Sequence, residues 1–305
     1  FFNNGIMKEF EILTKNINSV GKNSSVYKNS PQSEFISSYI YNLSMPLEKK
    51  NKQSYNRIIP KVSFQYSPHD MKNHSGTGRR VSADSVFSSN RLGLGDSFET
   101  GESLALGINF IKEKINTTDE ITKIEDYFDF KLATVYRFSE EQNIPANSTL
   151  NKKTSNIFGQ MAFKPNEIIS LNYDFSLTND FNTFEYNAIT SKFTLDNFST
   201  KFTFLEETGI LGSSNSIENI TKVNFNEYNS LSFKTRRNRE INLTEYYDLI
   251  YEYKNDCLIA DIKYRKDYYN DGDIIPKEEL FFSITIIPFY TYSPDKMILN
   301  KDRID

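Results

Sequence analysis

Few groups in this chain could do chemistry, and their spacing decides what that chemistry would be. Two adjacent carboxylate pairs, Glu206-Glu207 and Glu278-Glu279, would suit acid–base work only if a neighbour moved one carboxyl of each pair away from its ordinary pKa. Both lie in loop-like positions with no partner set to do so, and read as solvated charges. His69 and His74 are the only histidines and Cys257 the only cysteine, too few for a metal set. The two histidines fall in a polar loop and read as solvated. Asn90-Arg91-Leu92-Gly93-Leu94-Gly95 holds two glycines without the spacing or the strand–helix context of a dinucleotide site. No nucleophile elbow and no histidine-based triad can be assembled. The cluster Arg236, Arg237 and Arg239 could bind phosphate or a lipid head group. It could equally pair with carboxylates across a wet interior, the reading we favour. Nothing here implies an enzyme or a cofactor.

The elements that must position these groups are strands. The chain has 305 residues and a net charge of -4, from 36 basic and 40 acidic side chains, which makes no electrostatic case for nucleic acid. Hydrophobic residues reach only 38% and mean hydropathy is -0.56, and no run of about 18 apolar residues exists that could form a transmembrane helix. Yet there are 25 Phe and 19 Tyr, too many aromatics for a disordered chain. Isolated aromatics spread among polar residues suit a strand with one apolar face and one wet face.

Period-two alternation recurs along most of the length. Leu104, Leu106, Ile108 and Phe110 alternate with Ser103, Ala105, Gly107 and Asn109. Phe128, Phe130, Leu132, Tyr136 and Phe138 alternate with Asp129, Lys131 and Arg137. Leu249, Tyr251 and Tyr253 oppose Asp248, Glu252 and Lys254, and Ile262 and Tyr264 oppose Asp261, Lys263 and Arg265. Phe184, Tyr186 and Ala188 alternate with Glu185 and Asn187. Asn179-Asp180, Glu227-Tyr228-Asn229 and Asn255-Asp256 mark short reversals, because Asn and Asp tolerate left-handed backbone. Residues 113–125, 139–154, 209–215 and 269–278 read as longer loops on the opposite side. About fourteen strands result, with a weak one at 90–94 inside the irregular stretch 67–102.

The expected fold is all-β: an antiparallel up-and-down transmembrane β-barrel, present in part, over residues 1–290, followed by a polar tail at 291–305. Closure removes sheet edges and lipid accepts the apolar face. The charged parity, with Asp129, Lys131, Arg137, Arg237, Arg239, Asp261, Lys263 and Arg265, is then expected to face an aqueous lumen. A soluble β-sandwich with solvated charges on its outer face is the competing reading, and dependence on detergent separates the two. The chain opens at Phe1 without Met or a charged leader, and is expected to continue a longer protein.

Three stretches resemble the LptD (OstA) family of outer-membrane lipopolysaccharide-assembly proteins. Asn90 to Glu99, followed by Gly101-Glu102-Ser103-Leu104, is similar to that family's NRF-x-G-x-D segment leading into a strand. Leu43-Ser44-Met45-Pro46-Leu47, with Ile59-Pro60-Lys61-Val62 and Tyr66-Ser67-Pro68, is similar to its proline-marked strand pair. Tyr246 through Cys257 resembles the hairpin where the family places a C-terminal cysteine. The resemblance implies a lipid translocon with lipopolysaccharide as cargo and outer-membrane lipid around it. It also implies an LptE-like plug lipoprotein in the lumen, and a periplasmic Lpt bridge reached through an N-terminal jellyroll. Cys257 would then be disulfide-bonded to that domain; a free, half-buried thiol is the other reading. The last strand, with Phe282, Ile284, Ile286 and Pro288, would be one lip of a lateral gate, Pro288 weakening the seam because it lacks an N–H. A porin-like passive diffusion channel of the outer membrane is the alternative function.

Overall fold

Alternation becomes strand wherever Asn can close the reversals. A computed structural model describes residues 5–24, 27–117, 122–209, 213–268, 276–287, 290–292 and 297–301. Its strands are β1 (Met7–Ser19), β2 (Gln32–Ser44), β3 (Leu47–Lys50), β4 (Ser54–Ser67), β5 (Gly101–Thr117), β6 (Thr122–Arg137), β7 (Ile157–Phe163), β8 (Ile169–Leu177), β9 (Phe184–Thr194), β10 (Phe198–Glu207), β11 (Ser214–Asn224), β12 (Asn229–Asn238), β13 (Leu243–Lys254), β14 (Leu258–Asp267), β15 (Lys277–Ile286), β16 (Tyr290–Tyr292) and β17 (Met297–Lys301). The only helical pieces among the described residues are two 3-10 turns, Ser85–Phe87 and Ala146–Ser148. Among the described residues no helix is long and apolar enough to cross a membrane. The fold is therefore all-β, antiparallel and up-and-down.

Four short reversals share one device. Asn51 Oδ1 accepts the N–H groups of Gln53 and Ser54, at 3.0 and 2.7 Å. Asn166, Asn226 and Asn255 do the same for the residues two and three positions on, at 2.8–3.0 Å. The short amide side chain satisfies two N–H groups that a tight reversal leaves without ladder partners.

The chain divides into two compact units. One comprises Phe1–Lys164, Tyr173–Asn187 and Thr208–Gly212; the other comprises Pro165–Asn172, Ala188–Glu207 and Ser213–Asp305. In the first, β1 pairs with β2, β2 with β4, β4 with β5, β5 with β6 and β6 with β7, all antiparallel. In the second, antiparallel pairing runs from β10 through β15, and β15 carries β16 and β17 on its other flank.

Each unit has two unlike faces. On β5 and β6, Leu106 and Tyr136 are each 44% exposed, whereas Ala105 and Val135 are 0% exposed. In the second unit Leu249 and Tyr251 are exposed while Asp248, on the other parity, is 2% exposed. Large apolar side chains thus point outward and the opposite parity is covered, the alternation of a lipid-facing strand.

Several expectations are corrected. Residues 90–94 form no strand; they are turn backbone packed by Leu92 and Leu94. Residues 113–125 are not a long loop, because β5 and β6 pair up to Thr117 and Thr122. Asn179-Asp180 belongs to a six-residue reversal beside the 138–156 loop, tied there by Asn156 Nδ2, which donates to Ser176 Oγ and Glu185 Oε2 at 2.9 and 2.7 Å. Within the polar tail, Met297–Lys301 adds to β15 as β17. Glu206, Glu207, Glu278 and Glu279 are strand residues. Segment 68–100, expected as a loop, packs its apolar side chains on the covered face of β5–β7. Met71, Val81, Ala83, Val86, Leu92 and Leu94 meet Ala105, Ala133, Val135 and Phe158 there, with Ile144 and Leu150 from the next loop. Gly107 makes room: a Cβ there would lie 2.7 Å from the Phe87 ring.

These two faces predict opposite tolerances. Ile108→Arg, in the middle of the outward face of β5, should cost about 2–4 kcal/mol of folding stability in a bilayer. Asn109→Lys, next along the chain on the other face, should cost far less. Heat-modifiable mobility in gels after urea titration reads the difference, and equal losses would contradict the face assignment.

Candidate functional site

The best-built polar site lies where segment 68–100 meets the covered face of the first unit. Glu99, from the segment, sits between two guanidinium groups. Arg91 Nε and Nη2 donate to its two carboxylate oxygens at 2.6 Å each, a bidentate pair. Arg137, from β6, donates from Nη1 to the same carboxylate. Further donors are used: Arg91 Nη2 donates to Ser103 Oγ at 2.7 Å, and Arg137 donates to the carbonyl oxygens of Thr100 and Ser139 at 2.5 and 3.2 Å. All three side chains are at most 3% exposed. Burial alone would push the Glu99 carboxyl up, but Arg91 first and Arg137 second outweigh it and hold it below the ordinary carboxylate range.

A second set of contacts pins the segment to β1 and β2. Lys15 Nζ donates to the carbonyls of Leu94 and Ser97 at 2.7 and 2.8 Å, and stands 4.1 Å from the centroid of Phe98. Lys72 pairs with Glu34 at 2.5 Å. His74 Nε2 lies 2.9 Å from Asp96 Oδ1, and Tyr27 donates its hydroxyl to Asp96. Burial would raise the Asp96 carboxyl, yet the Tyr27 hydrogen bond and the adjacent His74 hold it below its ordinary value. His69 Nε2 lies 3.3 Å from Ser37 Oγ. The two histidines therefore have protein partners and are not the solvated residues their loop suggests.

Between the segment and β7–β9 remains a cavity of about 440 Å³. Arg79, Arg80, Asn90, Asn147, Asp174 and Tyr186 line it. Tyr186 lies beneath Arg80, whose guanidinium carbon is 5.5 Å from the ring centroid. The aromatic parity expected through Phe184, Tyr186 and Ala188 thus breaks in β9.

The charged parity was expected to be uniformly wet, and the structure sorts it. Lys131 bridges Asp84 and Asp129 at 2.7 and 3.2 Å. Arg137 is in the buried triad. Lys263 and Arg265 share Asp248, Arg265 in bidentate fashion at 2.6 and 2.8 Å and Lys263 at 3.1 Å. Asp261 stands opposite Glu252 in the β13–β14 register. Arg237 and Arg239 are corrections. Arg237 stands opposite Ile217, which is on the exposed apolar parity, and Arg239 lies over the Phe204 ring at 5.4 Å. A register shift between Arg236 and Arg237 accompanies this, and Arg236 instead pairs with Glu245 at 3.0 Å. Phe282, Ile284 and Ile286 share the outward parity of β15, but that strand has partners on both flanks and is not a bare edge. Pro288 lies outside the described residues. Cys257 is free and exposed, in the turn between β13 and β14. Sequence reasoning missed Arg91 and Glu99 as a buried pair. No signal in the sequence singled that pair out, since Asp96 lies between them and offers Arg91 an equally available carboxylate.

A family model described as "LptD: LPS transport system D" matches residues 13–221. No curated protein matches. Among solved structures, a mutant Rh. blastica porin is similar at 9% identity and a TM-score of 0.36, over 91% of this chain and 89% of that one. Salmonella typhi OmpF in complex with daunomycin is similar at 9% identity and a TM-score of 0.33, over 96% of this chain and 99% of that one.

Because Glu99 is held below its ordinary pKa of 4.5, its contribution to stability is full above that value and is lost as pH falls through the lower folded-state value. Acidification below about 4.5 should therefore loosen segment 68–100, read as faster protease cleavage within it. Glu99→Gln should remove this acid response and, by stranding two buried guanidinium groups, cost about 3–5 kcal/mol at neutral pH. Unchanged cleavage in that variant at both pH values would show that the triad does not hold the segment.

Proposed function

Since this chain belongs to the LptD family, whose model covers residues 13–221, we propose that it assembles lipopolysaccharide into the outer leaflet of the outer membrane. The observation that carries this reading is the family match, and the two-faced strands support it. Exposed Phe, Tyr, Leu and Ile on one parity suit acyl chains, while the other parity holds ionic groups suited to sugars and phosphates. Transport of this kind breaks no covalent bond and needs no catalytic side chain.

In this reading the covered face belongs to an aqueous interior that also receives an LptE-like plug lipoprotein, and the periplasmic Lpt bridge docks through a jellyroll elsewhere in the protein. The lateral exit lies beyond β15. Among the described residues, three register pairs join β15 to β16 and four join it to β17, against ten between β14 and β15. A short ladder is the cheapest place to part a sheet, since each pair contributes few hydrogen bonds. Phe282, Ile284 and Ile286 then face the departing acyl chains, with Pro288 following them.

Depletion of the protein in its own cells tests the reading. Newly made lipopolysaccharide should stop reaching the surface, while uptake of small hydrophilic solutes stays unchanged. Normal surface lipopolysaccharide with reduced solute uptake would favour a porin-like passive channel instead. Cys257 supplies a separate expectation: in the whole protein as cells make it, it should be unreactive to maleimide until reduced, and Cys257→Ser should remove a mobility shift in non-reducing gels. Immediate labelling without reductant would refute the interdomain disulfide.

A further inference from the structure

The outward face of the first unit changes character abruptly near one end of β5 and β6, and we propose that this end holds an anionic phospholipid of the periplasmic leaflet. The site presupposes strands that span a bilayer and is independent of what the barrel exports.

Three rows of outward side chains cross this part of the sheet. The first is apolar throughout: Ile58, Phe110, Phe130 and Met161 are neighbours in the register of β4–β7. Two residues farther along each strand lie Asn56, Lys112, Phe128 and Phe163, and beyond them Ser54 and Lys114. Rings of the first two rows pack together, with Phe128 at 5.9 Å from Phe110 and 6.5 Å from Phe130. Apolar side chains thus give way to a lysine within two residues of strand, about 7 Å. The Ile115 N–H donates to the Gln53 carbonyl at 3.0 Å, which sets Lys114 beside the short reversal held by Asn51. In an outer-membrane barrel such short reversals face the periplasm, so the change falls at the head groups of the inner leaflet.

A bulge builds the site. Between the pairs Lys112–Phe128 and Glu113–Asp126, β6 carries one extra residue, Tyr127. A bulge re-aims a side chain. The Tyr127 ring meets Phe163 at 5.4 Å, the same ring that Phe128 meets at 6.4 Å, so both aromatic residues stand on the outward side. Lys114 Nζ lies 4.3 Å and Lys112 Nζ 5.1 Å from the Tyr127 centroid. One ring therefore gathers two ammonium groups.

Their charges are unevenly matched. Lys114 stands opposite Glu125, a carboxylate on the same face. Lys112 stands between Asn56 and Phe128, neither of them charged, and has no ion-pair partner among the described residues. On the other parity the adjacent Glu113 is matched by Arg57 at 3.4 Å. The outward side is thus left with a cation that no described carboxylate answers, directly above an aromatic surface.

A phospholipid meets both conditions. Its phosphate takes the Lys112 ammonium, with the Tyr127 hydroxyl as a further donor. Its acyl chains lie on Phe110, Phe128, Phe130 and Phe163. Zwitterionic lipids carry the same phosphate but bring an ammonium group beside two lysines. Phosphatidylglycerol brings none, so charge selects it. Free phosphate would forgo the aromatic rows.

The test reconstitutes the whole protein in nanodiscs of phosphatidylcholine containing a minor share of phosphatidylglycerol, and counts the lipids it retains by native mass spectrometry. Phosphatidylglycerol should be enriched at least about fivefold over its share of the bilayer, the effect of one lysine near a membrane surface. Lys112→Gln should remove that enrichment and Lys112→Arg should keep it, with heat-modifiable folding intact in both. Lys61→Gln, on the covered parity of β4, should leave it unchanged. Excess glycerol phosphate should displace none of the bound lipid. Equal retention of the two lipids, enrichment untouched by Lys112→Gln, or displacement by glycerol phosphate would overturn the proposal. None of these outcomes bears on whether depletion stops lipopolysaccharide export, so the two failures can be told apart.

Discussion

One buried carboxylate shared by two guanidinium groups sets the terms for the rest of the first unit. Glu99 and Arg91 belong to segment 68–100 and Arg137 belongs to β6, so the triad joins a long irregular stretch to the sheet at a single place. Taking three charges out of water costs several kcal/mol per ion, recovered only when geometry and hydrogen bonds are complete. Here Ser103 Oγ and the carbonyls of Thr100 and Ser139 complete them. Shifting the segment by one residue would leave the same charges buried and unmatched. The triad therefore acts chiefly as a selector of one seat, and the apolar contacts of Val86, Leu92 and Leu94 supply the adhesion once that seat is taken.

That seat changes what the covered face is. On β5 and β6 the inward parity is Ser103, Ala105, Gly107, Ala133 and Val135: small residues, flattened to receive the segment. In the second unit the same parity carries Asp248, Lys263 and Arg265, with Lys234–Glu218, Lys222–Glu252 and Arg236–Glu245 forming a ladder of ion pairs. One parity rule thus serves a dry packing surface in one unit and a hydrated, ionic surface in the other.

The strands were legible because period two needs only local information. Among the described residues, fourteen strands of seven residues or more match the number expected, and the outward aromatics on β5, β6 and β13 fall where alternation puts them. What sequence could not give depended on register and on tertiary partners. Arg237 was misassigned although plain alternation along β12 puts it on the outward parity of Phe233; the extra residue of the β12–β13 shift, Glu245, lies on β13. Tyr186 was misread because its ring answers to Arg80, more than a hundred positions earlier in the chain. His74 looked solvated because Asp96 and Tyr27 are distant in sequence. The turn asparagines at positions 51, 166, 226 and 255 lie at the other extreme, since their bonds reach only two or three residues ahead.

The two kinds of covered face should answer differently to change. Ion pairs in the second unit are partly exposed: Lys222–Glu252 has side chains 39% and 35% exposed, a setting in which a pair contributes at most about 1 kcal/mol. Away from Asp248, which is 2% exposed, such a ladder can vary its charges with little loss of stability. The face under segment 68–100 has no such freedom. Gly107 admits no Cβ against Phe87, and the triad admits no single replacement that leaves its partners satisfied. The cavity lies within the first unit, with walls fixed by the seated segment and a rim, at Arg79, open to solvent. A rigid wall gives selectivity for ligand shape, and an exposed rim lets charge be gathered from water at low desolvation cost.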